Sequence, residues 1–314
     1  MALGVGSRPF PLGRLRRRGG KAPFAEHHPQ TLDWRLMRLL IASSKDHAFL
    51  DRPWIAWLFR VTPRRLRRPL ALRLLSLSPH YWVYQWTNYY PAELSRGEIL
   101  RREYERNSAS RKEICDKLLT RYLRPEMTAL DFGCGPGFLA RWVSPLVAQV
   151  IATDVSRGVL ACAGQINPAD NLRYVNNGLS DLARIRDSSV DFVYSFAVFQ
   201  HLLKEQSFAF LREFARVLKP GGTGAIHSIL KEPEAAPRYP DLSAAGWIAK
   251  RVNLRMVYFS AAEMKDLVAS AGLADVEILR VETLADIDDD IGREHLVTFR
   301  RPAGHHPSVG WSAR

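Results

Sequence analysis

The apolar residues of this chain follow two different periods. Over residues 31–75 they recur at helical spacing, with Leu32, Leu36, Leu39 and Leu40 on one stripe and Trp54, Ile55, Leu58 and Phe59 on another. From Glu98 to about Leu123, apolar residues such as Tyr104, Ile114 and Leu118 interrupt runs of charge. This is the pattern of a surface helix, with a break expected near Asn107–Ser110 and an end at Pro125. At Thr128 the pattern changes to short apolar runs alternating with amphipathic ones. Strands are predicted over 128–132, 150–153, 172–175, 190–196, 223–230, 275–281 and 295–301, and helices over 138–147, 157–165, 204–218 and 260–271. Lys219-Pro220-Gly221-Gly222 stops the third of these helices, and Ser260 and Gly272 bracket the fourth. Strands and helices alternating at this spacing predict an α/β fold, a doubly wound parallel sheet with helices on both faces.

Charge divides the chain at the same place. Residues 1–125 carry a formal +15 and residues 126–314 carry −2, so the whole net charge of +13 belongs to the N-terminal part. Four segments follow: a flexible basic tail (1–30), a basic, aromatic-rich helical extension or cap (31–125), the α/β domain (126–302) and a C-terminal tail (303–314). The Arg-rich, acid-poor start also fits an organelle import segment, although its Pro and Gly spacing breaks the amphipathic helix such segments form. Between Arg52 and Ala92 there are seven arginines and no acid. Such a stretch with interleaved Trp could lie on an anionic membrane surface, pack as a helical cap, or hold nucleic acid; the last has only charge behind it, with no recognisable binding module. No apolar run approaches the roughly 20 residues a helix needs to cross a bilayer. Cys115, Cys134 and Cys162 fall short of a disulfide framework or a zinc set, which fits a reducing, cytoplasmic setting, with membrane association left open, and no metal.

The candidate chemistry lies after the first predicted strand, in Asp131-Phe132-Gly133-Cys134-Gly135-Pro136-Gly137. Ligands of open α/β sheets sit beyond the carboxyl ends of the strands, and alternating glycines let a ligand approach closer than any Cβ would allow. A dinucleotide fingerprint starting at Gly133 would place Phe138 where only a small residue packs, so that form fails, and no phosphate-binding P-loop is present. Asp154 closes the second strand. A carboxylate there can accept hydrogen bonds from both hydroxyls of a ribose, which fixes a nucleoside without saying which; alternatively it caps the following helix together with Ser156.

At this point the chain resembles the class I S-adenosylmethionine-dependent methyltransferases, in particular those acting on small molecules and lipids. The resemblance covers about Thr128 to Arg301. It rests on an ordered set: Leu130 to Gly137, the acid Asp154, Ser189-Val190-Asp191-Phe192-Val193-Tyr194-Ser195-Phe196, Phe199-Gln200-His201-Leu202, and Leu211 through Lys219-Pro220-Gly221-Gly222. It implies a Rossmann-like seven-stranded sheet, mostly parallel with an antiparallel last strand, and S-adenosyl-L-methionine as cofactor. It further implies that Asp131, Gly133, Cys134, Gly135 and Gly137 meet the methionine end, Asp154 the ribose and Val155 the adenine, with Phe196 also at the site. The family's usual Gly-Asp after the third strand is replaced by Asn177-Gly178-Leu179, so adenine recognition would rest on Asn177 or the Leu179 amide.

Methyl transfer from a sulfonium is an in-line displacement that chiefly needs alignment. Where the nucleophile is a hydroxyl a base helps, and His201, just after the fourth strand, is the candidate catalytic residue. The chain lacks the Asn/Asp-Pro-Pro-aromatic turn of amino-methylating enzymes and the Pro-Cys setting of cytosine-C5 enzymes. A small, hydrophobic or lipid-like acceptor remains; the resemblance implies a lid at the aromatic run 79–91 and the insert 231–255, where Trp82, Trp86 and Trp247, with Tyr258 beyond, suit a hydrophobic guest. An RNA acceptor, or a pseudoenzyme module recruiting a partner through its basic part, is the alternative.

Overall fold

The computed structural model describes residues 50–76, 93–231, 257–285, 287 and 294–304. The basic tail, the Leu32–Leu40 stripe, the aromatic run 79–91 and all but the first residue of the insert lie outside the described residues.

Seven strands form one sheet: β1 (Thr128–Phe132), β2 (Gln149–Asp154), β3 (Leu172–Asn176), β4 (Val190–Ser195), β5 (Leu218–Ser228), β6 (Ala274–Arg280) and β7 (His295–Arg300). Their order is β3-β2-β1-β4-β5-β7-β6. The first five strands pair in parallel, while β7 runs antiparallel between β5 and β6. The order reverses at β1, which sits between β2 and β4, so the carboxyl end of β1 opens on the crevice where such sheets bind ligands.

Side-chain alternation along β1 explains the two-faced core. Leu130 and Phe132 enter one apolar cluster with Phe199, Phe210 and Phe214, whereas Ala129 enters the other with Leu139, Ala140 and Phe192. Asp131 shares the face of Ala129 and is buried there. The first cluster is covered by α6 (Lys204–Val217) and α7 (Ala261–Ser270), numbered after α1 to α5 in chain order. α7 begins as expected: Ser260 Oγ accepts the Glu263 amide at 3.1 Å and Glu263 returns the bond to the Ser260 amide at 2.9 Å.

The remaining helices are α1 (Pro53–Val61), α2 (Arg64–Leu75), α3 (Arg96–Ile114), α4 (Phe138–Val143) and α5 (Arg157–Ile166), with α8 a single turn at Val281–Leu284. Two corrections to the sequence reading appear. The break expected at Asn107–Ser110 is absent, because Asn107 donates to the Glu103 carbonyl inside a continuous α3; the irregularity comes later, as a π-helical turn at Cys115–Leu119. The helix predicted over 138–147 stays α-helical only to Val143 and tightens at Ser144–Leu146, where Pro145 stands.

Part of the extension shares a core with the α/β domain. Ile55, Phe59, Ala71, Leu74 and Leu75 pack with Val159, Cys162 and Ile166 of α5 and with Phe138. The approach is close: a Cβ on Gly158 would lie 1.7 Å from the Leu50 carbonyl oxygen, so only glycine fits there. Asp51 then accepts from Ser156 Oγ at 2.8 Å and from the Gly158 amide at 3.0 Å, adding a carboxylate to the start of α5.

Candidate functional site

The loop after β1 takes its shape from three left-handed glycines, Gly133 (φ 72°), Gly135 (φ 51°) and Gly137 (φ 77°). A Cβ on Gly133 would meet Val198 Cγ2 at 2.4 Å, and one on Gly137 would meet the Tyr174 hydroxyl at 2.2 Å, so sterics and dihedral both exclude other residues. The loop is tied down from both sides. The Gly133 and Cys134 amides donate to the Thr153 carbonyl at 2.8 and 2.9 Å, and Asn167 Nδ2 donates to the Pro136 carbonyl at 2.8 Å.

Asp154, at the end of β2, faces this loop. Its Oδ2 accepts the Gly135 amide at 3.0 Å and its Oδ1 accepts the Ser156 amide at 2.9 Å. Ser156 is itself the N-cap of α5, its Oγ accepting from the Val159 amide. One Asp154 oxygen thus braces the start of α5 while the other is directed at the glycine turn.

Asp131 lies under the same turn. Burial and then the neighbouring Asp154 charge push its carboxyl up to about 8, with the nearby Tyr194 hydroxyl and Ala140 amide offsetting part of the rise. Its Oδ2 has no hydrogen-bond partner. Two acids side by side at the mouth of a glycine turn, one of them buried and unsatisfied, suit a ligand that brings positive charge and hydroxyl donors. S-adenosylmethionine, with a sulfonium, an ammonium and a ribose diol, has that donor set. The Cys134 thiol is held far above its usual range by burial and by these two carboxylates, so it is neutral and no nucleophile.

Beyond β3 the turn is built differently from the expected pattern. Asn177 is buried; its Nδ2 donates to the Gly178 carbonyl at 2.6 Å and its Oδ1 has no partner. Val155 is half-buried and Leu179 is exposed. The space a side chain at Gly178 would enter is taken by Asp181, whose Oδ2 would stand 2.2 Å from that Cβ. Asp181 stands three residues further along the chain, and nothing in the local sequence pattern shows that the turn folds it back.

At the end of β4, Phe196 is buried and stacks on the His227 ring at 5.6 Å and 10°. Ala197 adopts φ 59°, and its amide donates to His227 Nδ1 at 3.2 Å. The other ring nitrogen lies 2.6 Å from Glu294 Oε2, at ion-pair distance but without the alignment of a hydrogen bond. Neither residue was singled out from sequence, since one is on β5 and the other precedes β7. His201 is exposed on the tight turn Phe199–His201, and its amide donates to the Val198 carbonyl.

A family model described as a methyltransferase domain matches residues 130–226, from β1 into β5. Residues 130–226 are thus a methyltransferase domain, similar to those of the class I S-adenosylmethionine-dependent enzymes. The chain is 30% identical over 122 residues to the ubiquinone biosynthesis O-methyltransferase of Xanthomonas campestris, a match covering 38% of this chain and 50% of that protein. It is 34% identical over 109 residues to the biotin biosynthesis bifunctional protein of Cellvibrio japonicus, covering 32% and 19% of the two chains. The chain thus spans half or less of these curated relatives. A chain of the Haloferax volcanii complex between the Trm112 methyltransferase activator and its methyltransferase partner superposes with a TM-score of 0.50 at 20% identity, covering 72% of this chain and all of that one; this likeness concerns the fold.

Proposed function

We propose that this methyltransferase moves the methyl group of S-adenosylmethionine to a small, hydrophobic or lipid-like acceptor. The observation that carries the cofactor half is the buried, unpartnered Asp131 oxygen beside Asp154 beneath the triple-glycine turn. In this reading Asp131 pairs with the ammonium at the methionine end while Gly133, Cys134, Gly135 and Gly137 let that end lie against backbone. Asp154 accepts from the ribose hydroxyls, Val155 packs on the adenine, and Asn177 Oδ1 or Asp181 accepts from the adenine amine, with the Leu179 amide alongside. When bound, the cofactor supplies a methyl already activated on sulfur, so the protein mainly has to align the acceptor.

Phe196, held flat by His227, gives the acceptor an apolar wall at the end of β4. The Xanthomonas relative, named for an O-methylation in ubiquinone biosynthesis, supports an apolar acceptor bearing a hydroxyl. His201, exposed after β4, would take the proton from such a hydroxyl.

Calorimetric titration of the full chain with cofactor tests the first half: Asp154→Ala is expected to weaken binding about a hundredfold, the scale of two charge-assisted hydrogen bonds. Incubation with methyl-labelled cofactor and separated lipid, small-molecule and RNA pools tests the second. Label in the RNA pool alone would overturn the acceptor assignment, and unchanged cofactor binding by the variant would overturn the site.

A further inference from the structure

Among the described residues, four of the six exposed large apolar side chains fall between Trp54 and Leu66: Trp57 is 59% exposed, Val61 54%, Leu66 49% and Trp54 45%. Trp54, Trp57 and Val61 stand at i, i+3 and i+7 of α1 and so line one side of it, while Ile55 and Phe59 turn the other side into the core. On α2, Ala71, Leu74 and Leu75 are buried, whereas Leu66 is exposed, as are Arg65 just before it and Arg73 seven positions after it. Both helices therefore present apolar side chains on the side that is already turned away from the core.

The charge carried by α1 and α2 themselves is of one sign. Arg60 adjoins Trp57 at i+3, and no acid occurs from Arg52 to Ala92. Asp51, the nearest acid in sequence, is engaged with Ser156 and Gly158. The contrast with α3 is informative: that helix and the turn after it carry the acid–base pairs of an ordinary wet face, Arg101–Glu105, Lys112–Asp116 and Lys117–Glu113. Isolated exposed apolar residues are unremarkable, but a group of them on two helices whose charged residues are all arginine matches a surface that meets lipid headgroups. Nucleic acid would use the arginines and leave Val61 and Leu66 without a partner.

We infer that α1 and α2 seat the protein on an anionic lipid surface, with Trp57, Val61 and Leu66 entering the headgroup boundary and Arg60, Arg65 and Arg73 meeting the lipid phosphates. Long arginine stems let the charged ends stay at the phosphates while the aliphatic parts follow the apolar stripe inward. The inference is independent of methyl transfer, since it concerns different residues and a different ligand.

The test is flotation of the full chain with vesicles of phosphatidylcholine mixed with phosphatidylglycerol, against phosphatidylcholine alone. The protein is expected to float with the mixed vesicles only and to be released by salt. Joint replacement of Arg60, Arg65 and Arg73 by Gln lowers the partition about a hundredfold, roughly fivefold for each charge. Trp57→Ala with Leu66→Ala lowers it as well, in a protein whose thermal melt is unchanged because both positions are exposed. Failure of the wild type to float with mixed vesicles, undiminished binding by the arginine variant, or retention on an RNA oligomer without vesicle binding would each overturn the assignment.

Discussion

Asp131 makes the folded, ligand-free protein sensitive to alkali. Its carboxyl sits at about 8 in the fold against 3.8 for the exposed side chain, raised by burial and by Asp154. A carboxyl raised by folding contributes most below its unfolded value, and that contribution is lost as pH rises through the folded one. Between about pH 4 and pH 8 the folded protein keeps a proton the unfolded chain has released, so stability falls by about 1.4 kcal/mol for each pH unit through this group. By pH 7 the accumulated cost is on the order of 4 kcal/mol, a large fraction of the 5–15 kcal/mol typical of a domain. Asp131→Asn keeps the shape and removes the titration. Urea unfolding of both proteins without cofactor, at steps from pH 5 to about 9, should show the variant gaining on the wild type with that slope and levelling off near pH 8. Cofactor titrations should show the opposite ranking: wild-type affinity rises up to about tenfold per unit towards pH 8 as the expelled proton becomes easier to lose, while the variant is weak and flat. Parallel stability curves for the two proteins would refute the placement of a buried, uncompensated acid beneath the turn.

The other predictions concern the walls of the same site. Gly137→Ala forces a side chain onto the Tyr174 hydroxyl in a left-handed conformation and should lower stability by about 1–3 kcal/mol, read as a shifted urea midpoint, with cofactor binding lost in the fraction that remains folded. His227→Phe keeps the ring stacked under Phe196 but removes the acceptor for the Ala197 amide; KM for the acceptor should rise more than kcat falls, because the ring positions a wall and does no proton transfer. For Asp181→Ala, calorimetry should show weaker binding of S-adenosylmethionine, while an analogue lacking the exocyclic adenine amine binds variant and wild type alike. Equal losses for both ligands would assign Asp181 to turn geometry alone.

Much of this molecule is decided by local rules that a single chain carries openly. Period-2 and period-3.6 patterns place β1 over Thr128–Phe132 and α6 to within one residue of its end at Val217, and three alternating glycines between a strand and a helix mark where backbone must come close to a ligand. Asp154 was legible for the same reason, at a strand's end beside that turn, whereas a role for Asp131 followed from the family resemblance. What tertiary structure alone decided is contact between segments remote in sequence. Asp51 comes to Ser156, Asp181 to the space at Gly178, and His227 to Ala197 and Glu294, through packing with no periodic signature. Even the unusual proton affinity of Asp131 is a tertiary fact, because it follows from the depth of β1 in the sheet and the nearness of a second carboxylate on β2. Neither burial nor a cross-strand neighbour is a property of residue 131 until the sheet has formed.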